Sequence, residues 1–181
     1  MQQLINQPCG YPLSENAGEA ASYGPELEIS ARLSPELTLT MSGTYTHTAL
    51  TSVNALHQAD PALASGTPLL NIPKYAETTS LTCTTSISDD IRFVARINNS
   101  YAGESTDVQF SYASLRPYKI ACLRVGLTAD HWSGYLFADN LTYMHAQLGI
   151  NTSAFAWTAP SIVRIAINQP RTIGLDLKYS F

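Results

Sequence analysis

Charge is what this sequence has least of. Only 13% of its 181 residues are Asp, Glu, Lys or Arg, about half of what soluble domains carry. Ten Lys and Arg stand against fourteen Asp and Glu, for a net charge of −4. No basic stripe is left to follow a phosphate backbone, so nucleic acid is not an expected partner. Long apolar runs are missing as well: no stretch approaches the roughly 18 residues a membrane-spanning helix requires. The opening MQQLINQPCGYPL has neither the basic region nor the apolar region of a signal peptide. If the protein is exported, its export signal is expected to lie outside this chain.

Cysteine is scarce and unpatterned. Cys9, Cys83 and Cys122 show no CxxC spacing, which excludes a metal knuckle and a disulfide framework. Cys9 sits in a Pro/Gly-rich loop, while Cys83 and Cys122 fall inside strand patterns and read as packing residues. There is no GxSxG, no HExxH and no glycine-rich phosphate loop. The four histidines His47, His57, His131 and His145 are scattered; His131 reads as interfacial beside Trp132. Neither an enzyme nor a resident cofactor or metal is expected.

What fills the place of charge is Thr, Ser, Asn, Gly and Tyr, and the mean hydropathy stays at −0.04. That mixture suits sheets with one apolar and one hydroxyl-lined face. Helical periodicity is nearly absent, and period-2 runs recur along the whole length. They predict strands over 2–7, 16–33, 37–46, 76–87, 91–101, 117–128, 133–144 and 172–181, about eight in all. Short turns near 35, 89 and 131 alternate with long loops near 10, 60, 109 and 157. The longest loops are expected over 49–75, 102–116 and 146–168. This is the plan of an antiparallel up-and-down transmembrane β-barrel, with short turns at one rim and long loops at the other.

The two faces are chemically distinct. Glu28, Arg32, Arg92, Arg96, Arg124, Asp176 and Lys178 alternate with apolar residues and share one face. In a soluble sandwich that face is the outside; in a membrane barrel it is the lumen, and the apolar face meets lipid. Periodicity does not choose between them. Tyr45, Tyr101, Tyr135, Phe137, Tyr179 and Phe181 are expected on the apolar face, several near strand ends where interfacial aromatics sit. Two further all-β arrangements fit the residues: a self-contained eight-stranded membrane barrel with a structural or adhesive role, and a soluble lipocalin-like barrel with the apolar face inside.

A set of ordered motifs adds to this. NAGEAASYGPELEIS (16–30) resembles the NAG-x-A-x-x-x-G-x-ELE signature of TonB-dependent outer-membrane receptors. TLTMSGTYTHTAL (38–50), GTPLLNIPKY (66–75), YKIACLRVGL (118–127), DNLT (139–142) and the ending RTIGLDLKYSF follow in that family's order. Cys122 stands where the family often has Asn, and Tyr143 where Asp or Asn is usual. The resemblance implies the C-terminal segment of a barrel of about 22 strands that encloses a plug, with the plug and the earlier strands not in this chain. It implies active import of a scarce solute, of the ferric siderophore, cobalamin or oligosaccharide class, energised by the TonB complex through the plug. It further implies residence in the bacterial outer membrane, contact with its lipid, and recognition of the final strand by the barrel-assembly machinery through Tyr179 and Phe181.

Candidate substrate contacts are few. Arg92, Arg96 and Arg124 lie on neighbouring strands and offer three guanidinium groups to an anionic small molecule. The alternative is that they pair with plug carboxylates or with Asp139, Glu28 or Asp176. His57 and Asp60, in the longest loop, are the other candidates, against a plain solvated loop.

Overall fold

The computed structural model describes residues 2–6, 12–16, 18–53, 64–107, 113–153 and 162–181. Among them the chain is all-β: β1 (Gln2–Asn6), β2 (Pro12–Asn16), β3 (Gly18–Tyr23), β4 (Glu26–Arg32), β5 (Leu37–Tyr45), β6 (His47–Val53), β7 (Tyr75–Ser86), β8 (Arg92–Ala102), β9 (Ser105–Asp107), β10 (Ala113–Leu115), β11 (Tyr118–Thr128), β12 (Trp132–Asp139), β13 (Gln147–Ser153), β14 (Ile162–Ile167) and β15 (Thr172–Tyr179). Seven strands make one antiparallel sheet, in the order β15-β12-β11-β8-β7-β5-β4. Neighbours in this sheet follow one another along the chain, interrupted only by the hairpin pieces. It is an up-and-down meander.

Register sorts the side chains. Ala31, Leu39, Leu81, Ile97, Leu123, Ala138 and Ile173 stand in one cross-strand row. Leu37, Cys83, Ala95, Val125, Leu136 and Leu175 form the next row on that face. Between them, pointing the other way, run Arg32, Thr38, Thr82, Arg96, Arg124, Phe137 and Gly174. A slip of one residue at any strand would exchange these sets, so the alternation fixes the register.

Nothing among the described residues covers the apolar face. Leu136, Ile173 and Leu177 are 63%, 71% and 72% exposed, and among the described residues the buried apolar side chains are only Leu50, Leu115, Ala138 and Ala146. A continuous apolar face of this size is not tolerated in water. A single-layer sheet with no core of its own needs an apolar surrounding on that side.

The two rims differ as expected. Tight turns at 33–36, 87–91 and 129–131 close one rim, and the final strand ends there too. Trp132 pairs with Tyr179, and the Ser180 N–H donates to the His131 carbonyl at 2.8 Å. At the other rim the chain does not form plain loops. Parts of 49–75, 102–116 and 146–168 continue as two-stranded ribbons, β3 with β6, β9 with β10 and β13 with β14. Their strands are only three to seven residues long, too short for an alternation to stand out, although Thr48, Leu50 and Leu115 in them are buried. The strand expected over 2–7 is present as β1, but it pairs with β2 and does not join the sheet. The sheet therefore has seven strands where eight were expected.

The glycine signature has a steric cause. At Gly24, between β3 and β4, a Cβ would run into the Tyr45 carbonyl, and at Gly18, with φ +148°, into the Ser52 carbonyl. The long ribbon 18–32 can lie against 37–53 only where both positions are bare. DNLT is a joint of a different kind. Asn140 is buried with φ 51°, a region Asn tolerates. Its amide donates to the Met144 and Gln169 carbonyls at 2.9 and 3.1 Å and accepts from the Met144 N–H at 2.8 Å. It ties the end of β12 to the start of β15, where the ribbon β13–β14 leaves the sheet.

Candidate functional site

The polar face of β8, β11, β12 and β15 gathers the basic residues that the sequence singles out. Arg96 and Arg124 are direct cross-strand partners, an arrangement that like charges disfavour unless something answers them. Arg124 is answered: its Nη2 reaches Asp176 Oδ2 at 3.2 Å, and its guanidinium lies 5.3 Å from the centre of the Tyr135 ring. Tyr135 is itself held by a 2.6 Å hydrogen bond between its hydroxyl and Thr128 Oγ1. Arg96 has only a hydroxyl, donating from Nε to Thr82 Oγ1 at 3.1 Å. Arg92 lies on the same face, opposite Ser86 and Thr128; its side chain has no partner among the described residues.

Of the carboxylates named as alternative partners, Asp176 alone is used. Glu28 and Asp139 make no ion pair among the described residues. Two guanidinium groups, Arg92 and Arg96, are therefore uncompensated by carboxylate on this wall. They leave it positive and able to attract an anion. His57 and Asp60 lie outside the described residues. No cluster of His, Cys, Asp or Glu suited to a metal ion occurs among those described.

The structure corrects the placement of two aromatics. Tyr135 and Phe137 belong to the polar face, since Tyr135 pairs with Gly126 and Asp176, and Phe137 with Arg124 and Gly174. Each ring lies close against the glycine opposite it. A Cβ at Gly126 would come within 2.6 Å of Tyr135 Cδ1, and one at Gly174 within 2.5 Å of Phe137 Cζ. The strand glycines were the signal, because a bare strand position invites a neighbouring side chain to lie across it. Tyr45, Tyr101 and Tyr179 are on the apolar face as expected, and Phe181 lies past the end of β15. Tyr179 and Phe181 meet edge to face with centroids 5.2 Å apart, beside Trp132 at the short-turn rim.

A one-layer antiparallel meander with an apolar outer face, a polar inner face, tight turns at one rim and long ribbons at the other is a wall of a membrane β-barrel. Solved structures agree on that fold. The chain is similar to the ferric yersiniabactin uptake receptor FyuA from Yersinia pestis, with a TM-score of 0.73 and 19% identity over 93% of this chain and 25% of that one. It is similar to BauA, the ferric preacinetobactin receptor from Acinetobacter baumannii, with a TM-score of 0.72 and 16% identity over 99% of this chain and 26% of that one. It also resembles the ferric-catecholate import receptor Fiu from E. coli K12, at 0.67 and 19% over 99% and 23%. The chain thus spans about a quarter of the length of these structures. No protein-family model and no curated protein matches the sequence.

Proposed function

We propose that this chain is the C-terminal barrel segment of an outer-membrane receptor that imports a ferric siderophore. The observation that carries the reading is the sheet itself: a bare apolar face backed by a face with uncompensated arginines, on a fold shared with three receptors for ferric ligands. In this reading the apolar face meets outer-membrane lipid and the polar face lines the lumen. Arg92, Arg96 and Arg124 then form a basic wall along the path of an anionic ferric chelate, and Asp176 holds the Arg124 guanidinium against Tyr135. A plug and earlier strands would complete the barrel, and the TonB complex would act through that plug. Tyr179 and Phe181, exposed at the end of β15, would serve as the assembly signal.

The test is uptake of radiolabelled ferric siderophores by iron-starved cells that carry the complete receptor gene or its deletion. Deletion is expected to abolish uptake of one anionic ferric siderophore. Replacing Arg96 with Ala should raise the KM for uptake about tenfold while the receptor level in the membrane stays unchanged, the loss of one charge-assisted contact. Unchanged uptake of every ferric siderophore on deletion would contradict the proposal.

A further inference from the structure

Near the ribbon rim the outward face turns from apolar to charged, and its two sides differ in sign. Lys119 pairs with Tyr101, and Tyr101 with Glu77, so one cross-strand row carries both charges with a tyrosine between them. Lys119 has the parity of Leu123 on β11. Arg171 has the parity of Ile173 and comes just before the start of β15. Its guanidinium lies over the Tyr143 ring, 5.4 Å from the centre. Neither Arg171 nor Lys119 has an ion pair among the described residues. The β11–β15 side thus carries two unanswered cations, and the β7 side a carboxylate.

The register puts the two cations at one height. The turn between β4 and β5 closes where Leu33 meets Leu37, in the row of Cys83. The turn between β7 and β8 closes at Ile87 and Ile91, two rows further down. With the short turns on one membrane surface, cross-strand rows therefore climb from β4 toward β15. Arg171 stands one row below Lys119 but two strands further along that climb, so the two offsets cancel. Two strand spacings of about 4.8 Å and two residues of about 3.4 Å separate them, about 12 Å in all. A strand tilt of about 45° puts Lys119 about 24 Å above the 129–131 turn, at the top of an apolar band about 25 Å tall.

A cation at the edge of the hydrocarbon needs an anion or water to answer it. The guanidinium over Tyr143 keeps its in-plane N–H donors free. Arg takes a phosphate through two parallel bonds, and Lys meets one as a point charge. Below both cations the outward face is apolar, with Leu123, Ile173, Leu136 and Leu175 in neighbouring rows and nothing over them. A headgroup at the rim with acyl chains running toward mid-membrane is the orientation of a lipid in the leaflet on that side. Glu77, beyond Lys119 on the side away from Arg171, repels phosphate from β7 and confines the site to β11–β15.

We propose that Lys119 and Arg171 bind an outer-leaflet lipid with two phosphates, one at each end of a glucosamine disaccharide. One phosphate meets Lys119 and the other Arg171, the sugars bridge the end of β12, and acyl chains lie down over Leu123 and Ile173. The proposal rests on the reading of this face as lipid-facing. It goes further by assigning one headgroup chemistry to one pair of side chains.

The full-length protein in detergent micelles is titrated with lipid A and with its monophosphorylated form, which keeps every acyl chain. Native mass spectrometry counts the lipid bound. The bis-phosphorylated lipid is expected to bind about tenfold tighter, the gain of one charge-assisted contact. Lys119→Ala and Arg171→Ala should each remove that preference. Lys178→Ala, which deletes a cation from the polar face, should leave it intact. Heat-modifiable gel mobility reports whether each variant is folded; if Arg171→Ala fails that check, Lys119→Ala alone decides. Equal binding of the two lipids by the unsubstituted protein overturns the proposal. So does a preference that survives Lys119→Ala and Arg171→Ala, or one that Lys178→Ala also removes, which would mean general attraction by charge. If the unsubstituted protein does not insert into lipid vesicles, the lipid-facing reading itself fails and the site falls with it; insertion without the preference removes the site alone.

Discussion

The two faces of the seven-stranded sheet share every backbone hydrogen bond and differ in everything else. On the outward face, Leu136 stands between Val125 and Leu175, with nothing over it. On the polar face one residue away, Arg124 stands between Arg96 and Phe137 and is held by Asp176 and Tyr135. Side chains on the first face are satisfied only by apolar surroundings. Those on the second are held by specific partners: an ion pair, a cation over a ring, a ring over a glycine. Residue size therefore does not tell which face a side chain takes, and register does.

The most damaging way to break this contrast is to put the same charge on each face in turn. Leu136→Arg is expected to cost about 2–4 kcal/mol in urea titrations of protein folded into vesicles, the cost of a cation on a lipid-facing barrel position. Ser80→Arg, on the polar face of β7, should cost less than about 1 kcal/mol, within the range of ordinary exposed substitutions. Next in size is Asn140→Ala, which removes three hydrogen bonds at the joint of β12 and β15 and should cost about 2 kcal/mol. Amide exchange should speed up over 140–146 with little change in β8.

A smaller change sharpens the account of the polar face. Gly174→Val pushes the Phe137 ring off its glycine and should cost about 1–2 kcal/mol as overpacking, with the loss of Phe137 chemical-shift dispersion as the readout. The smallest effect is expected at Asp176→Asn. The Arg124–Asp176 pair is about half exposed, at 50% and 46%, so its loss should cost less than about 1 kcal/mol while making the wall more basic.

Much of this contrast is written in the sequence, and the gaps have physical causes. The strands β5 and β15 alternate cleanly, and β8 and β11 do so apart from Val94, Asn99, Lys119 and Ile120, so most of these faces are legible from the residues. In β12, WSGYLFAD, Trp132, Gly134, Leu136 and Ala138 point outward while the rings of Tyr135 and Phe137 point inward, so hydrophobicity does not tell the two faces apart. Only the pairing of Tyr135 with Asp176 settles it. The ribbons beyond the rim leave a weaker trace, because strands of three to seven residues give an alternation little length in which to show. Glu77, on the outward face opposite Gly43 and Tyr101, follows from the parity of Leu81 and Cys83 carried four residues back from Leu81. Arg92, Arg96 and Arg124 were legible as one face. That Asp176 serves Arg124 and leaves Arg96 with a hydroxyl was not, because the partner lies 52 residues away. Tyr143, with φ 55°, shows why Asp or Asn suits its place: those residues tolerate the left-handed region. Its ring contacts with His145 and Arg171 offset part of that strain.

The chain carries its own reporters for the central contrast. Cys83 lies on the outward face, in a row with Leu37 and Ala95, and Cys122 lies on the polar face, opposite Asn98. Both are free thiols. With Cys9 replaced by Ser, the protein in native membranes is treated with a maleimide carried on an acyl chain. The reagent is expected to modify Cys83 and spare Cys122, with both reacting once the protein is unfolded in urea. Modification of Cys122 in preference to Cys83 would contradict the assignment of the two faces.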